Sequence, residues 1–375
     1  MITTAQYRVD LYLNGDYIGD VRHLAQGLTW ARRRTSEGVD SIDFTINDVL
    51  FAEWAQERGY TLIQLLRPFA LDCRIVRNGV EVVGGFLATM PAYNPNGTSA
   101  NLDLKFDGFT NLLAGVYINP IGTQTGEAGA MFASWIMMAD SRAYAAGKGF
   151  DFFSGTINTF DSITQTFDNY KTVKDAIADR ADNTTGAGLF DLYWDADRTY
   201  NLIKDSNFGK TITTYTINYP LEGAVGAVRI SANEVSGFAS SIIGIGAGEI
   251  SANPNENTAI VYTATDSTAV QDYGYAETMY QDSSISRMDS LTRNSNARLD
   301  DAKSIRWQPN IALTGSEVAP EPSNASNRIW IGDKVQIRNT EDMTGQTSGW
   351  FRVQELVVSV SETNAEEITP NLRRV

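Results

Sequence analysis

The chain has 375 residues, 42% of them hydrophobic, enough for two to four cores at about 100–200 residues per domain. Forty-five acidic against thirty basic side chains give a net charge of −15, a field that repels a phosphate backbone and disfavours direct nucleic-acid binding. One histidine and one cysteine exclude an intramolecular disulfide and a thiolate metal cluster, and no window approaches the roughly 18 uninterrupted apolar residues of a membrane helix.

The opening MITTAQYRVD lacks the basic start and apolar run of a secretory signal, so a soluble, unprocessed chain is expected. The N-x-S/T triplets at Asn96, Asn183 and Asn324 are then read as chance. Val9, Leu11 and Leu13 alternate with polar neighbours up to Asn14-Gly15, and Tyr17-Ile18 resumes, which predicts a hairpin. Ile42, Phe44 and Ile46 repeat the period of two. DVLFAEWAQERG then puts Leu50, Phe51, Trp54 and Ala55 on one helical face behind an Asn47 or Asp48 cap, with Gly59 as the stop. FALDCRIVRNGVEVVGGFL predicts a second hairpin about Asn78-Gly79, a dipeptide that tolerates the positive φ of a type I′ turn. With a strand through Leu102, Leu104 and Phe106, residues 1–110 make an antiparallel β-barrel-like domain.

From Gly108 the period changes. FTNLLAGVY, AGAMFASWIMMADSRAYAAG and KTVKDAIADRAD have helical spacing, so residues 111–188 read as a helical insertion. LFDLYWDADRTYNLI returns to alternation about an Asp195-Ala196-Asp197-Arg198 turn, and strands continue through TITTYTINY, GAVRISANEVSG and TAIVYTATD. DSSISRMDSLTRNSNARLDD carries Ile285, Met288, Leu291 and Leu299 at helical spacing, with serines at its start and Arg298 near its end. Residues 189–302 are thus a second β region with a late amphipathic helix. Three strand candidates follow in 303–375: Ser304 to Leu313, Ile329 to Asn339 and Trp350 to Glu362. Within IWIGDKVQIRN a short strand, a Gly332-Asp333 corner and a second strand are expected, with Val335 and Ile337 inward, an unusual φ at Gly332 and Trp330 at least half buried. These segments read as the completion of a C-terminal barrel. The fold class is mainly β with α insertions, an α+β multidomain chain.

Few residues could carry chemistry. His23 is the sole imidazole around which a nucleophilic site could be built, and Cys73, in phase with Leu71 and Ile75, reads as a small strand residue. Asp195 and Asp197 are the best acid pair for a glycosidase, but Asp at a hairpin turn is favoured because it caps the turn backbone. With Asn201 they also fall short of a calcium loop, which needs a central Gly and a closing Glu. Gly244 to Glu249, GIGAGE, has its third glycine misplaced for a dinucleotide fingerprint and reads as a loop or strand with close backbone packing. Arg32, Arg33 and Arg34 read as a solvated strand end or a subunit contact rather than a phosphate site. No catalytic residue, cofactor or metal site is expected.

The order of parts resembles the tail hub proteins of tailed bacteriophages, and more closely the minor tail or baseplate-hub proteins of long-tailed phages of actinobacteria. The stretches that carry the resemblance are DSIDFTINDVLFAEWAQERG, RIVRNGVEVVGGFLATMP, YGYAETMYQDSSISRMDSLTRNSNARL, IWIGDKVQIRN and FRVQELVVSVSE. The resemblance implies a structural virion protein without enzymatic activity. It implies a homotrimer of two barrel-like domains per subunit, joining a hexameric distal-tail ring to a threefold tip. Distal tail, tape measure and fibre or tip proteins are its implied partners, DNA passes through the lumen without specific binding, and the chain does not insert into a membrane. Host recognition and wall digestion would then reside on other polypeptides. Two readings stand beside it: a carbohydrate- or receptor-binding tail-tip module or distal tail protein, and a peptidoglycan hydrolase using an acid pair.

Overall fold

A computed structural model describes residues 5–91, 101–118, 122–167, 171–181, 190–220, 225–227, 229–234, 237–249, 258–283, 285, 287–303, 307–341 and 347–375. The N-terminal third follows the period-two reading. Strands β1 (Tyr7–Leu13) and β2 (Asp16–Asp20) form the expected hairpin, and β3 (Ala25–Arg33) and β4 (Ser41–Asn47) pair next to each other. Helix α1 (Asp48–Glu57) is capped by Asn47, whose side chain accepts from the Val49 and Leu50 N–H groups. It buries Phe51, Trp54 and Ala55, while Leu50 stands at the flank of that arc, half exposed, and does not share the buried face. After the short α2 (Leu62–Leu65), strands β5 (Leu71–Arg77) and β6 (Val80–Leu87) turn about Asn78 and Gly79, both at positive φ (49° and 84°), before β7 (Asn101–Asp107).

The segment read as a helical insertion is mixed. Phe109–Gly115 is a 3₁₀ helix, β8 (Gly122–Glu127) leads into α3 (Ala128–Ala145), and β9 (Phe153–Ile157) and β10 (Ser162–Phe167) precede α4 (Val173–Ala181). Strands β8 and β10 pair GTQTGE with SITQTF, where Ile163 and Phe167 are the only apolar residues, too few for the alternation that marks a strand in sequence. The expected hairpin about Asp195 to Arg198 is β11 (Phe190–Trp194) and β12 (Thr199–Lys204), with β9 added in parallel to β12.

The remaining elements are β13 (Ile217–Tyr219), β14 (Arg229–Glu234), β15 (Ser241–Ile245), β16 (Val261–Thr265), α5 (Ser267–Tyr273), β17 (Glu277–Gln281) and α6 (Met288–Ala302). Then come β18 (Trp307–Thr314), β19 (Lys334–Asn339), β20 (Gly349–Val360) and β21 (Glu366–Arg374). Helix α6 begins after Arg287, which makes no side-chain cap; Ser284 and Ser286 lie outside the described residues. Ile329 to Ile331 is buried but forms no strand, so only the second half of IWIGDKVQIRN is β.

The fold is mainly β, but its sheets do not close into the expected barrels. The largest, of 13 strands, runs β14-β18-β21-β20-β3-β4-β7-β6-β5-β1-β2, with β19 and β13 branching from β20. Its two ends, β14 and β2, each pair on one side only. The physical reason lies in β20. Its first half pairs with β19 and its second half with β3, while β21 lines it along its length. A bulge between Val353 and Glu355 re-aims the strand where it changes partner. Strands from the two ends of the chain therefore share one sheet and one core, which includes Trp30, Phe44, Phe106, Trp330, Phe351 and Leu372. A second core gathers around Phe132, Trp135, Phe190 and Trp194, and a small third one holds Ala239, Ile242, Ala264 and Leu299.

Candidate functional site

The residues singled out for chemistry are placed structurally. His23 is exposed in the turn after β2. Cys73 is fully buried on β5 opposite Leu11, and burial pushes its thiol well up, so it is neither a nucleophile nor a ligand. Asp195 accepts from Asn201 Nδ2 at 3.0 Å, with its carboxyl pushed up by burial. Asp197 accepts from the Thr199 N–H at 3.1 Å, and Arg198 takes φ 71°; this is turn capping. Gly244 lies on β15 where any side chain would strike Ser295 and Tyr280, and Gly246 would bring a Cβ to 2.5 Å from the Ile285 carbonyl, so GIGAGE serves close packing. Among the described residues no cluster of three His, Cys, Asp or Glu is placed to hold a metal. Asn324 is exposed, whereas Asn96 and Asn183 lie outside the described residues. An open groove of about 820 Å³ is lined by Leu28, Leu313, Val360, Thr29, Ser359 and Glu366, with the exposed Arg229–Glu367 pair beside them.

Where polar groups do converge is the seam between the large sheet and the β11–β12 hairpin. Here Arg32, Arg33 and Arg34 do not form the solvated strand end that their run suggests. Arg32 is 1% exposed; its Nη1 meets Asp40 at 2.7 Å, its Nη2 donates to the Trp194 carbonyl at 2.8 Å, and its Cζ lies 4.4 Å from the Tyr193 ring centroid. Arg33 crosses to Glu355 on β20 at 2.5 Å. Arg34 forks onto Asp191, with Nη2 at 2.6 Å from Oδ2 and Nε at 3.2 Å from Oδ1. A further pair, Arg198 with Asp72, ties the far end of the same hairpin to β5 at 2.7 and 2.9 Å. The sequence signal for Arg32 was its phase: Leu28, Trp30 and Arg32 alternate onto one face, and all three are buried.

Two more junctions use the same chemistry. Arg77 on β5 grips Glu366 on β21 with two bonds of 2.6 and 2.9 Å and reaches Glu321 at 2.7 Å, while Tyr7 OH also donates to Glu366. The Gly332-Asp333 corner is the other. Gly332 sits at φ 82° with the Phe208 ring against it, and Asp333 accepts from Arg328 at 2.5 Å, the Lys210 N–H at 2.8 Å and the Trp330 N–H at 3.0 Å. Trp330 is 5% exposed, as its sequence context predicted. These carboxylates are locked by guanidinium and backbone donors, an arrangement that fixes the position of one unit on another.

No family model matches the chain, and no curated protein matches it in sequence. Solved structures do. A tail protein from Neisseria meningitidis MC58 superposes with a TM-score of 0.63 at 11% identity over 98% of this chain and 96% of its own. The 43 kDa tail protein of prophage MuSo2 from Shewanella oneidensis gives 0.62 at 12% identity, covering 98% of both chains. Prophage tail protein gp18 from Listeria monocytogenes EGD-e gives 0.55 at 13% over 97% of this chain and 94% of that one. The chain has the fold that these tail proteins share, end to end.

Proposed function

We propose that the chain is a structural component of a phage-type tail: the hub at its distal tip, three copies forming a ring that joins a hexameric distal tail to the tip and conducts DNA. The observation that supports this most is the end-to-end likeness of fold to three tail proteins, with almost nothing left over on either side. The architecture fits the task. A ring wall must hold its shape under load, and here one strand, β20, binds the two ends of the chain into a single sheet while buried arginine clamps fix the inserted units. Its site is the virion tail tip, and distal tail, tape measure and tip proteins are its partners. Mass photometry of the purified chain and a cryo-EM map of the particle test this reading. A threefold ring at the tail tip is the expected result; a monomer both at high concentration and in the particle overturns it.

A further inference from the structure

The first half of β20 lies between β19 and β21 in a register that sets like charges side by side. Lys334 on β19 is opposite Arg352, and Arg352 is opposite Arg373 on β21, so three cations line up across three adjacent strands. Val335, Phe351 and Leu372 fill the core side of these strands, which places the row on the other face together with Arg338 and Trp350. Opposed like charges destabilise a sheet. Arg352 is buried at the centre of the row, Lys334 and Trp350 are half-buried, and Arg338 and Arg373 are exposed. Among the described residues neither Lys334 nor Arg338 has an ion pair, and Glu355, further along β20, is taken by Arg33 at 2.5 Å.

A face of opposite character stands on α1. Leu50, Glu53 and Glu57 follow at three- and four-residue spacing and share one stripe. Leu50 is 49% and neighbouring Val49 50% exposed. Glu53 and Glu57 are exposed as well, a like-charge pair one turn apart, which destabilises an isolated helix. The two faces lie at opposite ends of β20. Ala25 is level with Ile46, beside the Asn47 cap, and Leu28 with Val360, so α1 begins beyond the C-terminal end of β20. Arg352 is near the start of that strand, roughly 26 Å from Val360 at an ordinary strand rise.

We infer that the α1 face of one copy docks on the cationic face of the next copy of this chain, with Glu53 and Glu57 against Lys334, Arg338 and Arg373, and Leu50 toward Trp350. A second copy is the occupant that charge favours: apart from Lys334, Arg338, Arg352 and Arg373, the chain has 26 basic against 45 acidic side chains, or −19. The dimensions agree. Three strands at about 4.8 Å spacing carry the cations across about 10 Å, and Leu50 to Glu57 at about 1.5 Å per residue spans about 10 Å. Each face relieves the like-charge repulsion of the other. Because the two faces differ and lie at opposite ends of β20, the contact is head-to-tail, the type that builds rings. It rests on the reading of a threefold hub. A helix meets a sheet face, so no sheet is continued across the axis, and the cations are held in subunit contacts.

Charge reversal tests it. Lys334→Glu with Arg338→Glu reverses one face, Glu53→Lys with Glu57→Lys reverses the other, and the fourfold variant exchanges both. Size-exclusion chromatography with light scattering is read over a concentration series, beside the thermal unfolding of each variant. The parent is expected at three times the chain mass and each twofold variant at one chain mass with its unfolding midpoint kept. The fourfold variant is expected at three again, since its charges are exchanged and not lost. Arg338→Glu alone and Glu53→Lys alone, both at exposed positions, carry the same comparison where a twofold variant loses its midpoint. Reversed variants that stay trimeric, or a fourfold variant that stays monomeric beside a trimeric parent, overturn this contact and leave the hub standing. A parent that is monomeric in solution is read in the cryo-EM map of the particle. There, α1 of one copy against Lys334 and Arg338 of the next supports the contact, and a ring built on any other interface overturns it. A monomer in the particle as well overturns both.

Discussion

Trp30 on β3 and Trp330 in the approach to β19 pack with ring centroids 6.3 Å apart, and the buried Arg32 guanidinium lies against the Trp330 ring as well. Residues from the two ends of the chain thus meet at one point of the large core. Trp330→Ala opens a cavity there, and a loss of about 3–5 kcal/mol is expected. Gly332→Ala adds strain at φ 82° and pushes a methyl into the Phe208 ring, for a loss of about 1 kcal/mol or more. Denaturant unfolding checks both; a midpoint unchanged in Trp330→Ala sinks this account of the junction.

The Arg34–Asp191 fork is nearly sealed from solvent. Removing the cation alone strands a buried carboxylate, so Arg34→Leu is expected to cost about 3–5 kcal/mol. Replacing both, Arg34→Leu with Asp191→Leu, is expected to recover much of that loss, because a well-packed apolar pair avoids both desolvation penalties. Urea titrations of the single and double variants decide it. A double variant no better than the sum of its singles contradicts the proposed coupling.

How much of this was visible beforehand depended on whether the signal was local. Asn14-Gly15 and Asn78-Gly79 dictate turns by themselves, since their positive φ needs no partner. Strand β21 escaped notice because Pro370 interrupts EEITPNLRR; the sheet tolerates it where the pairing with β18 skips from Asn371 to Ile368. Strands β8 and β10 give no alternating signal, because GTQTGE has nothing apolar and SITQTF has only Ile163 and Phe167, with Gln165 between them. The arginine run was misread for a different reason. Whether a strand-borne Arg is solvated depends on Asp40, Asp191 and Trp194, and the last two are brought to it only by the fold.

Acid response separates two kinds of carboxyl. Burial raises Asp40, Asp72 and Asp333 despite their arginines, so the folded state holds their protons more tightly than the unfolded chain. Their contribution to stability is fully present below the unfolded value of about 3.9 and is lost as pH rises through the folded values, which means they do not drive acid unfolding. Glu127 is the reverse. Against the push of partial burial, the Phe160, Ala130 and Gly129 N–H groups hold it below its ordinary value, so its contribution is present above about pH 4.3 and disappears as pH falls through the folded value. Glu127→Gln is expected to cost about 1 kcal/mol at neutral pH through the weakened cap of α3, with the gap to the parent closing in acid. A gap that is constant from pH 7 to 3 contradicts the cap assignment.

Asp195 and Asp197 supply the chain's most suggestive acid pair, and both are engaged in the turn itself. Purified protein is therefore expected to release no products from cell-wall or polysaccharide substrates. Asp195→Asn and Asp197→Asn are expected to change stability only. A wall-degrading activity abolished by either substitution in a folded variant reverses that reading.

The inner surface of the proposed ring carries the last expectation. Three chains at −15 each hold −45, and in a conduit for DNA that charge is best placed on the wall. Like charge keeps the phosphate backbone from adhering, whereas Lys and Arg would bind it through counterion release. The densest basic run is engaged within its own chain, Arg32 with Asp40, Arg33 with Glu355 and Arg34 with Asp191. Net charge could instead serve solubility alone, as an acidic surface does in many monomers. The two accounts diverge in a cryo-EM map of the tail tip. A lumen lined predominantly by Asp and Glu supports the conduit, and one lined by Lys and Arg refutes it.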